Sequence, residues 1–179
     1  MTIQATLRSG AAALLMGLGA ATLPASAQTA DDGQPDRLNE TYRDWIVQCV
    51  SQAQNGGARV CEMVQQLSQR EGGQRVLTAA VRSPGNGTTQ MTLIAPFGLL
   101  LSEGVSVRLG DQEVLRGTFL TCLSNGCIAN LDVPADAVSA LARATAATVR
   151  MTSVQGAPFE IEVSLMGFTA ALNRLRGLN

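Results

Sequence analysis

Apolar and polar residues alternate along most of the chain after residue 42, in short runs separated by polar or glycine-rich turns. In the run from Arg43 to Val50, the residues Trp45, Val47 and Cys49 share one face because successive side chains of a strand point to opposite sides. Runs of this kind, rich in Val, Leu, Ile and Thr, favour antiparallel strands. The pattern predicts strands at 43–50, 60–67, 75–82, 90–95, 105–109, 112–123, 127–133, 147–152 and 159–166.

Two segments follow a helical pattern instead. The segment 134–144 has proline at its first position and Asp136 in its first turn, where the helix dipole favours an acid. From Phe168 to Leu175 apolar residues recur at the spacing of one helix face, and Gly177 then acts as a stop signal. We expect both helices to cover a sheet. The sequence therefore predicts an all-β dominated single domain, an antiparallel β-sandwich or barrel-like fold with two short helices.

The first 27 residues are typical of an export signal. Arg8 supplies a positive charge, residues 11–18 form a short apolar run, and Ala25 and Ala27 make the small-x-small pattern of a cleavage site. The run is shorter than the roughly 20 apolar residues that span a bilayer. Cleavage is predicted between Ala27 and Gln28. An exported protein of the periplasm or cell envelope, or one secreted further, is therefore expected.

The polar segment 28–41 has Leu38 as its one large apolar residue, so it is expected to be a flexible leader to a folded domain of residues 42–179. Nothing later in the sequence is long and apolar enough to predict a transmembrane segment.

The amino-acid composition excludes several classes of catalytic and binding site. The chain has no histidine and no lysine, and its thirteen basic residues are all arginine. A Ser-His-Asp triad, a histidine-ligated metal site, a Ser-Lys dyad and a P-loop are therefore excluded. Loss of the signal leaves twelve arginines against fourteen acids, which gives no electrostatic reason to expect nucleic acid as a partner. No cofactor, metal or catalytic residue is predicted.

Four cysteines stand in two close pairs, Cys49 with Cys61 and Cys122 with Cys127. Behind an export signal such pairs indicate disulfides. Four cysteines allow three pairings, and we predict the two local ones because each pair faces across a predicted hairpin. The spacing lacks the Cys-x-x-Cys motif of thiol oxidoreductases and of zinc knuckles, so a structural role is favoured.

Paired carboxylates leave one enzymatic alternative, a carboxylate-dependent envelope hydrolase. Glu160 and Glu162 share a strand face, and Asp111 and Glu113 flank a turn. A glycosidase needs two such groups across a cleft, one with a raised pKa. Charges at alternating positions are the ordinary pattern of a solvated strand face, which is the interpretation we favour.

Residues 95–101 (APFGLLL) form the most apolar run after the signal. A buried strand and turn is the favoured interpretation. If the run is exposed, Pro96, Phe97 and Leu99 become the leading candidates for a partner surface.

An ordered set of motifs resembles the invasion-associated locus B family of Gram-negative bacteria over residues 42–176. The motifs are Asp44-Trp45, Cys61-Glu62-Met63, Ala95-Pro96-Phe97-Gly98, Cys122 to Cys127, and Val163 to Leu172. The resemblance implies an exported, predominantly β protein without established catalytic residues, in a family named for a link to host-cell invasion. The expected function is binding to a protein of the envelope or of a host surface.

Overall fold

The computed structural model describes residues 37–52, 58–85 and 87–178. The predicted signal peptide, its cleavage site between Ala27 and Gln28, and residues 28–36 of the predicted leader lie outside the described residues. The strands of the described part are β1 (Arg37–Tyr42), β2 (Trp45–Gln52), β3 (Ala58–Ser68), β4 (Arg75–Arg82), β5 (Gln90–Ala95), β6 (Val105–Leu109), β7 (Gln112–Leu123), β8 (Gly126–Asp132), β9 (Ala146–Thr152) and β10 (Pro158–Ser164). The helices are α1 (Ala135–Arg143) and α2 (Phe168–Arg176), and a short 3-10 turn spans Leu101–Glu103.

The strands form one antiparallel sheet in the order β1-β2-β3-β4-β5-β8-β7-β6-β9-β10. Strand β7 belongs to both halves of this sheet: its residues 112–117 pair with β6, and its residues 118–123 pair with β8. Apolar residues from both halves, including Leu93 of β5 and Val149 of β9, belong to a single buried core. The sheet therefore folds over itself at β7, and the predicted sandwich-like all-β fold is confirmed.

The two helices cover the core, as predicted. Val138 and Leu141 of α1 are buried, and so are Phe168, Leu172 and Leu175 of α2. Helix α1 begins one residue later than the pattern suggested, because Pro134 has extended backbone angles and acts as the residue before the first helical turn.

The sheet begins earlier than the sequence predicted. Residues 37–41, assigned above to the flexible leader, lie in β1 and pair with β2, with Leu38 opposite Cys49. The strand is polar because only one of its faces is half-buried, at Leu38, Glu40 and Tyr42. Backbone pairing and alternation hold this segment in the sheet, although its composition is that of a leader.

Trp45 ties β2 to the end of β10 and to α2. Its ring is fully buried and meets the ring of Phe168 edge-on, with centroids 5.5 Å apart and an angle of 77° between the planes. Its indole N–H donates to the backbone oxygen of Ser164 at 2.9 Å. A buried tryptophan needs such a partner for its one polar atom.

Gln65 of β3 completes this contact. Its buried amide donates to the backbone oxygens of Asp44 at 3.1 Å and Ser164 at 3.0 Å, and it accepts from the Ser164 N–H at 3.0 Å. We call Asp44, Trp45, Gln65, Ser164 and Phe168 the Trp45 junction. The buried polar atoms of Trp45 and Gln65 are therefore all hydrogen-bonded to other residues of the junction.

Gly167 allows α2 to start against the turn between β1 and β2. Its φ is +90°, and a Cβ atom placed there would lie 2.0 Å from the backbone oxygen of Tyr42. Any other residue would therefore push α2 away from the junction.

Candidate functional site

The run 95–101 forms a loop after the end of β5. Backbone hydrogen bonds join this loop to the end of β9 and to the connection between β9 and β10. The Leu100 N–H donates to Thr152 O at 2.8 Å, and the Val154 N–H donates to Gly98 O at 2.9 Å. Leu99 and Ser153 also form an isolated antiparallel bridge. The loop is therefore held by backbone hydrogen bonds on both sides of Leu99.

Three large apolar side chains on these two segments face solvent. Phe97 is 62% exposed, Val154 54% and Leu101 40%. Each of the other five aromatic residues of the chain is buried or half-buried. We call Phe97, Leu101 and Val154 the Phe97 surface. An exposed aromatic ring beside exposed aliphatic groups is typical of an interaction site.

The structure divides the predicted partner residues. Phe97 is exposed and Pro96 is half-buried, whereas Leu99 is only 8% exposed and packs in the core. Strict alternation would place residues 97 and 99 on one face, but Gly98 between them has a φ of +84° and turns the chain. Leu99 is therefore an anchor beneath the surface and not a part of it.

Sequence reasoning missed Leu101 and Val154. Leu101 had been expected within a buried run, and Val154 stands alone in a turn between Ser153 and Gln155-Gly156. One apolar residue among turn residues is a weak local signal of exposure. Its proximity to residue 98, on which the candidate surface depends, follows only from the tertiary pairing.

Both predicted disulfides are present, so all four cysteines are bonded. Cys49 and Cys61 lie opposite each other on β2 and β3 and are buried. Cys122 and Cys127 face each other across the β7–β8 hairpin; Cys127 is buried and Cys122 is exposed. The two bonds therefore lie in contrasting surroundings.

The carboxylates of the hydrolase hypothesis lie on a charged face formed by β6, β7, β9 and β10. Glu160 stands opposite Arg150, with 3.6 Å between Arg150 Nε and a carboxylate oxygen. Glu113 accepts two hydrogen bonds from Arg116, at 2.9 and 2.7 Å.

The Arg116 guanidinium lowers the pKa of Glu113 from its usual value. A general acid needs the opposite shift.

A groove of about 200 Å³ runs along this charged face and is lined by Glu103, Ser106, Arg108, Glu113, Arg116 and Arg150, among others. Asp111 lies in the β6–β7 turn, where its backbone oxygen accepts a hydrogen bond from Arg108. Glu113 and Arg116 thus form an ion pair within the groove, and Arg150 of the groove is paired with Glu160.

Two features are absent from the described residues. No group of three or more cysteine, aspartate or glutamate residues in that part of the chain has the arrangement of a metal site. No helix there has the length and apolar character needed to cross a membrane.

Comparison with known proteins places these features in a family context. The family model for "Invasion associated locus B (IalB) protein" matches residues 45–176. An invasion protein B homolog of Brucella abortus (strain 2308) is 39% identical over 160 residues, which cover 89% of this chain and 86% of the relative. Invasion protein B of Bartonella bacilliformis is 30% identical over 180 residues, covering 98% of this chain and 94% of the relative.

A solved structure is also similar. The crystal structure of invasion associated protein B from Bartonella henselae matches with a TM-score of 0.72 and 30% identity, covering 79% of this chain and 96% of that chain.

Proposed function

Because this chain belongs to the invasion associated locus B family, we propose that it is an exported, non-enzymatic protein that acts by binding another protein through the Phe97 surface. The binding partner is a protein of the cell envelope or of a host-cell surface. The names of the relatives, invasion protein B, favour the host-cell surface.

Export is supported by the disulfides and by the N-terminal sequence. All four cysteines are bonded, and such bonds persist in the periplasm and outside the cell while thiols stay reduced in the cytosol. Residues 1–27 have the charge, apolar run and small-residue site of a signal peptide.

The proposal of binding depends on one observation, the exposure of Phe97 on a loop that is held by backbone hydrogen bonds. A free aromatic side chain of 62% exposure carries apolar area that is lost from water only when a partner covers it. The hydrogen bonds from Leu100 and Val154 hold the loop in one conformation before any partner arrives. Little conformational entropy would then be lost on binding, which favours affinity.

The proposal of a non-enzymatic role is supported by the state of the charged face. Glu113 and Glu160 are each engaged by an arginine, and the lowered pKa of Glu113 keeps it ionised. A hydrolase acting through carboxylates would need one of them protonated near neutral pH.

The test uses Phe97→Ser with Val50→Ser as its matched control. Val50 is 47% exposed and lies on β2, away from the loop. Tagged wild-type and variant proteins are incubated with envelope extract and with host-cell surface extract, and the bound proteins are identified. We expect one partner with the wild type and with Val50→Ser, and at least about tenfold less of it with Phe97→Ser, because a central aromatic contact contributes about 2 kcal/mol or more.

Other outcomes would contradict parts of the proposal. Equal recovery with Phe97→Ser would remove the Phe97 surface from the interaction. Hydrolysis of an envelope polymer by the wild type, lost in Glu113→Gln or Glu160→Gln, would replace the binding role with the hydrolase.

A further inference from the structure

We infer that Cys122 is a modification site, the sulfur at which an external thiolate attacks the Cys122–Cys127 disulfide. The reactant class is a small thiol, such as glutathione, or the dithiol of a reducing protein. This inference stands on the surroundings of the two disulfides and is independent of any partner at the Phe97 surface.

Exposure separates the two bonds first. Cys122 is exposed, while its partner Cys127 is 2% exposed. In the other disulfide both members are covered, with Cys49 at 1% and Cys61 at 3%. Exchange requires direct contact between the incoming sulfur and one sulfur of the bond, so an exposed member reacts and a covered pair resists.

The direction from which a thiolate must approach also distinguishes the two disulfides. A thiolate approaches one sulfur from the side opposite the bond that breaks. The Cys122–Cys127 bond runs from β7 to β8, so Cys122 is approached from the side of β7 that faces away from β8. Residues 118–123 of β7 pair with β8 alone, whereas the pairing with β6 stops at Gly117. That side of Cys122 is therefore an open strand edge.

The same line is obstructed at Cys49 of the other bond. Strand β2 lies between β1 and β3, and Leu38 of β1 is paired with Cys49 on the side from which a thiolate would come. Among the described residues, the side of Cys61 away from β2 has no strand partner, because β3 pairs with β4 only from Met63 onward. Protection of Cys61 therefore rests on its low exposure, 3%. The guanidinium of Arg59 lies 3.4 Å from Cys49 Sγ and would stabilise a thiolate there. This stabilisation helps only after a reductant has reached the bond, so access decides the order of reaction.

The step balances as a simple exchange. The attacking thiolate forms a bond to Cys122 Sγ, the Cys122–Cys127 bond breaks, and Cys127 leaves as a thiolate that takes up a proton. With a dithiol, the second thiol then displaces Cys122 and becomes part of a new disulfide. Two electrons pass from the dithiol to the protein, which ends with two free thiols.

The fold is expected to survive this reaction. Cys122 and Cys127 are only five residues apart, so the bond restricts the unfolded chain less than one that closes a longer loop. The hairpin keeps its backbone pairing from Thr118–Asn130 to Leu123–Gly126 after the bond opens. Reduction would therefore loosen the hairpin end and leave the core intact.

The experiment uses the folded protein without denaturant. It is treated with reduced glutathione, quenched with N-ethylmaleimide, and fragmented so that each cysteine is located by mass spectrometry. We expect glutathione on Cys122 with maleimide on Cys127, formed at least about tenfold faster than any adduct on Cys49 or Cys61, as exposed disulfides react before buried ones. Fluorescence of Trp45, the single tryptophan, should stay at its native value throughout.

Each alternative result overturns the inference. Glutathione on Cys127 would contradict the line of attack. Reaction of both disulfides together, of Cys49–Cys61 first, or of neither would contradict the difference in access. As a control, Cys122→Ser/Cys127→Ser should keep the slow rate at Cys49–Cys61; a fast rate there would mean that the hairpin bond had only competed for reagent.

Discussion

The Trp45 junction and the Phe97 surface are each centred on an aromatic residue from the motifs of the resemblance, but the ring is buried in the first and exposed in the second. Trp45 is wholly buried and finds both a ring partner in Phe168 and a hydrogen-bond acceptor in Ser164. Phe97 is largely exposed. An aromatic residue whose contacts are all internal maintains the fold, whereas one that is held rigid and uncovered is available to a partner.

Local backbone geometry creates this difference. Trp45 begins a regular strand, so alternation places it on the inner face with Val47 and Cys49. Phe97 lies two residues after Ala95, the end of β5, and Gly98 then breaks the alternation and returns Leu99 to the core. The anchor and the exposed ring are thus produced by one turn of the chain.

The largest expected effect compares the two aromatic residues directly. Trp45→Ala should lower the free energy of unfolding by about 3–5 kcal/mol, because it leaves a cavity and removes the contact with Phe168. Phe97→Ala should change it by no more than about 0.5 kcal/mol, since the exposed ring adds little to the core. Denaturant unfolding followed by circular dichroism measures both.

The comparison would break if the two values were similar. A loss of more than about 2 kcal/mol in Phe97→Ala would mean that the ring stabilises the loop like a core residue. The Phe97 surface would then be a part of the fold and not a free contact site.

A smaller effect is expected from the polar half of the junction. Gln65→Leu removes three hydrogen bonds, so that Asp44 O and the Ser164 N–H lose the Gln65 amide while Ser164 O keeps its bond from Trp45. The expected loss is about 1–3 kcal/mol. The adjacent Gln66 is exposed, so Gln66→Leu is the matched control and should be nearly neutral. Equal stabilities of the two variants would show that the junction is held by apolar packing alone.

Much of the fold could be predicted because the strand signal is local. The bounds of 75–82, 90–95, 105–109 and 112–123 agree with the structure, since alternation and turn residues decide them within a few positions. The local disulfides could be predicted for the same reason. Strand β1 could not, because its polar residues gain their place from pairing with β2.

The candidate site was only partly predictable. The apolar run 95–101 pointed to the right segment, but hydrophobicity alone cannot tell an exposed Phe97 from a buried Leu99. The exposure of Phe97 depends on the conformation of Gly98. The hydrogen bond that holds Gly98 comes from Val154, more than fifty residues away. Nothing local in the sequence carries that pairing.

The smallest expected effect on stability concerns the hydrogen bonds that join α2 to β1, beside the Trp45 junction. Arg174 donates two hydrogen bonds to Glu40 of β1, at 2.7 and 2.8 Å, and Tyr42 donates a third at 2.9 Å. The hydrogen bonds from Arg174 are the main cause of a lowered pKa at Glu40. Because the folded pKa is lower than the unfolded one, this contact stabilises the protein above the unfolded value of about 4.3. The stabilisation is lost as the pH falls through the folded pKa.

Glu40→Gln should therefore lose stability near neutral pH and should lose less than the wild type on acidification below about pH 5. Glu113→Gln is the control, because the pKa of Glu113 is also lowered by an arginine, but by Arg116 on the same strand. That pair is three residues apart and can form in part in the unfolded chain, whereas Glu40 and Arg174 are 134 residues apart and meet only after folding. Urea unfolding across this pH range should show the larger change for Glu40→Gln, and an equal change for both variants would mean that the Glu40–Arg174 contact does not hold α2 against β1.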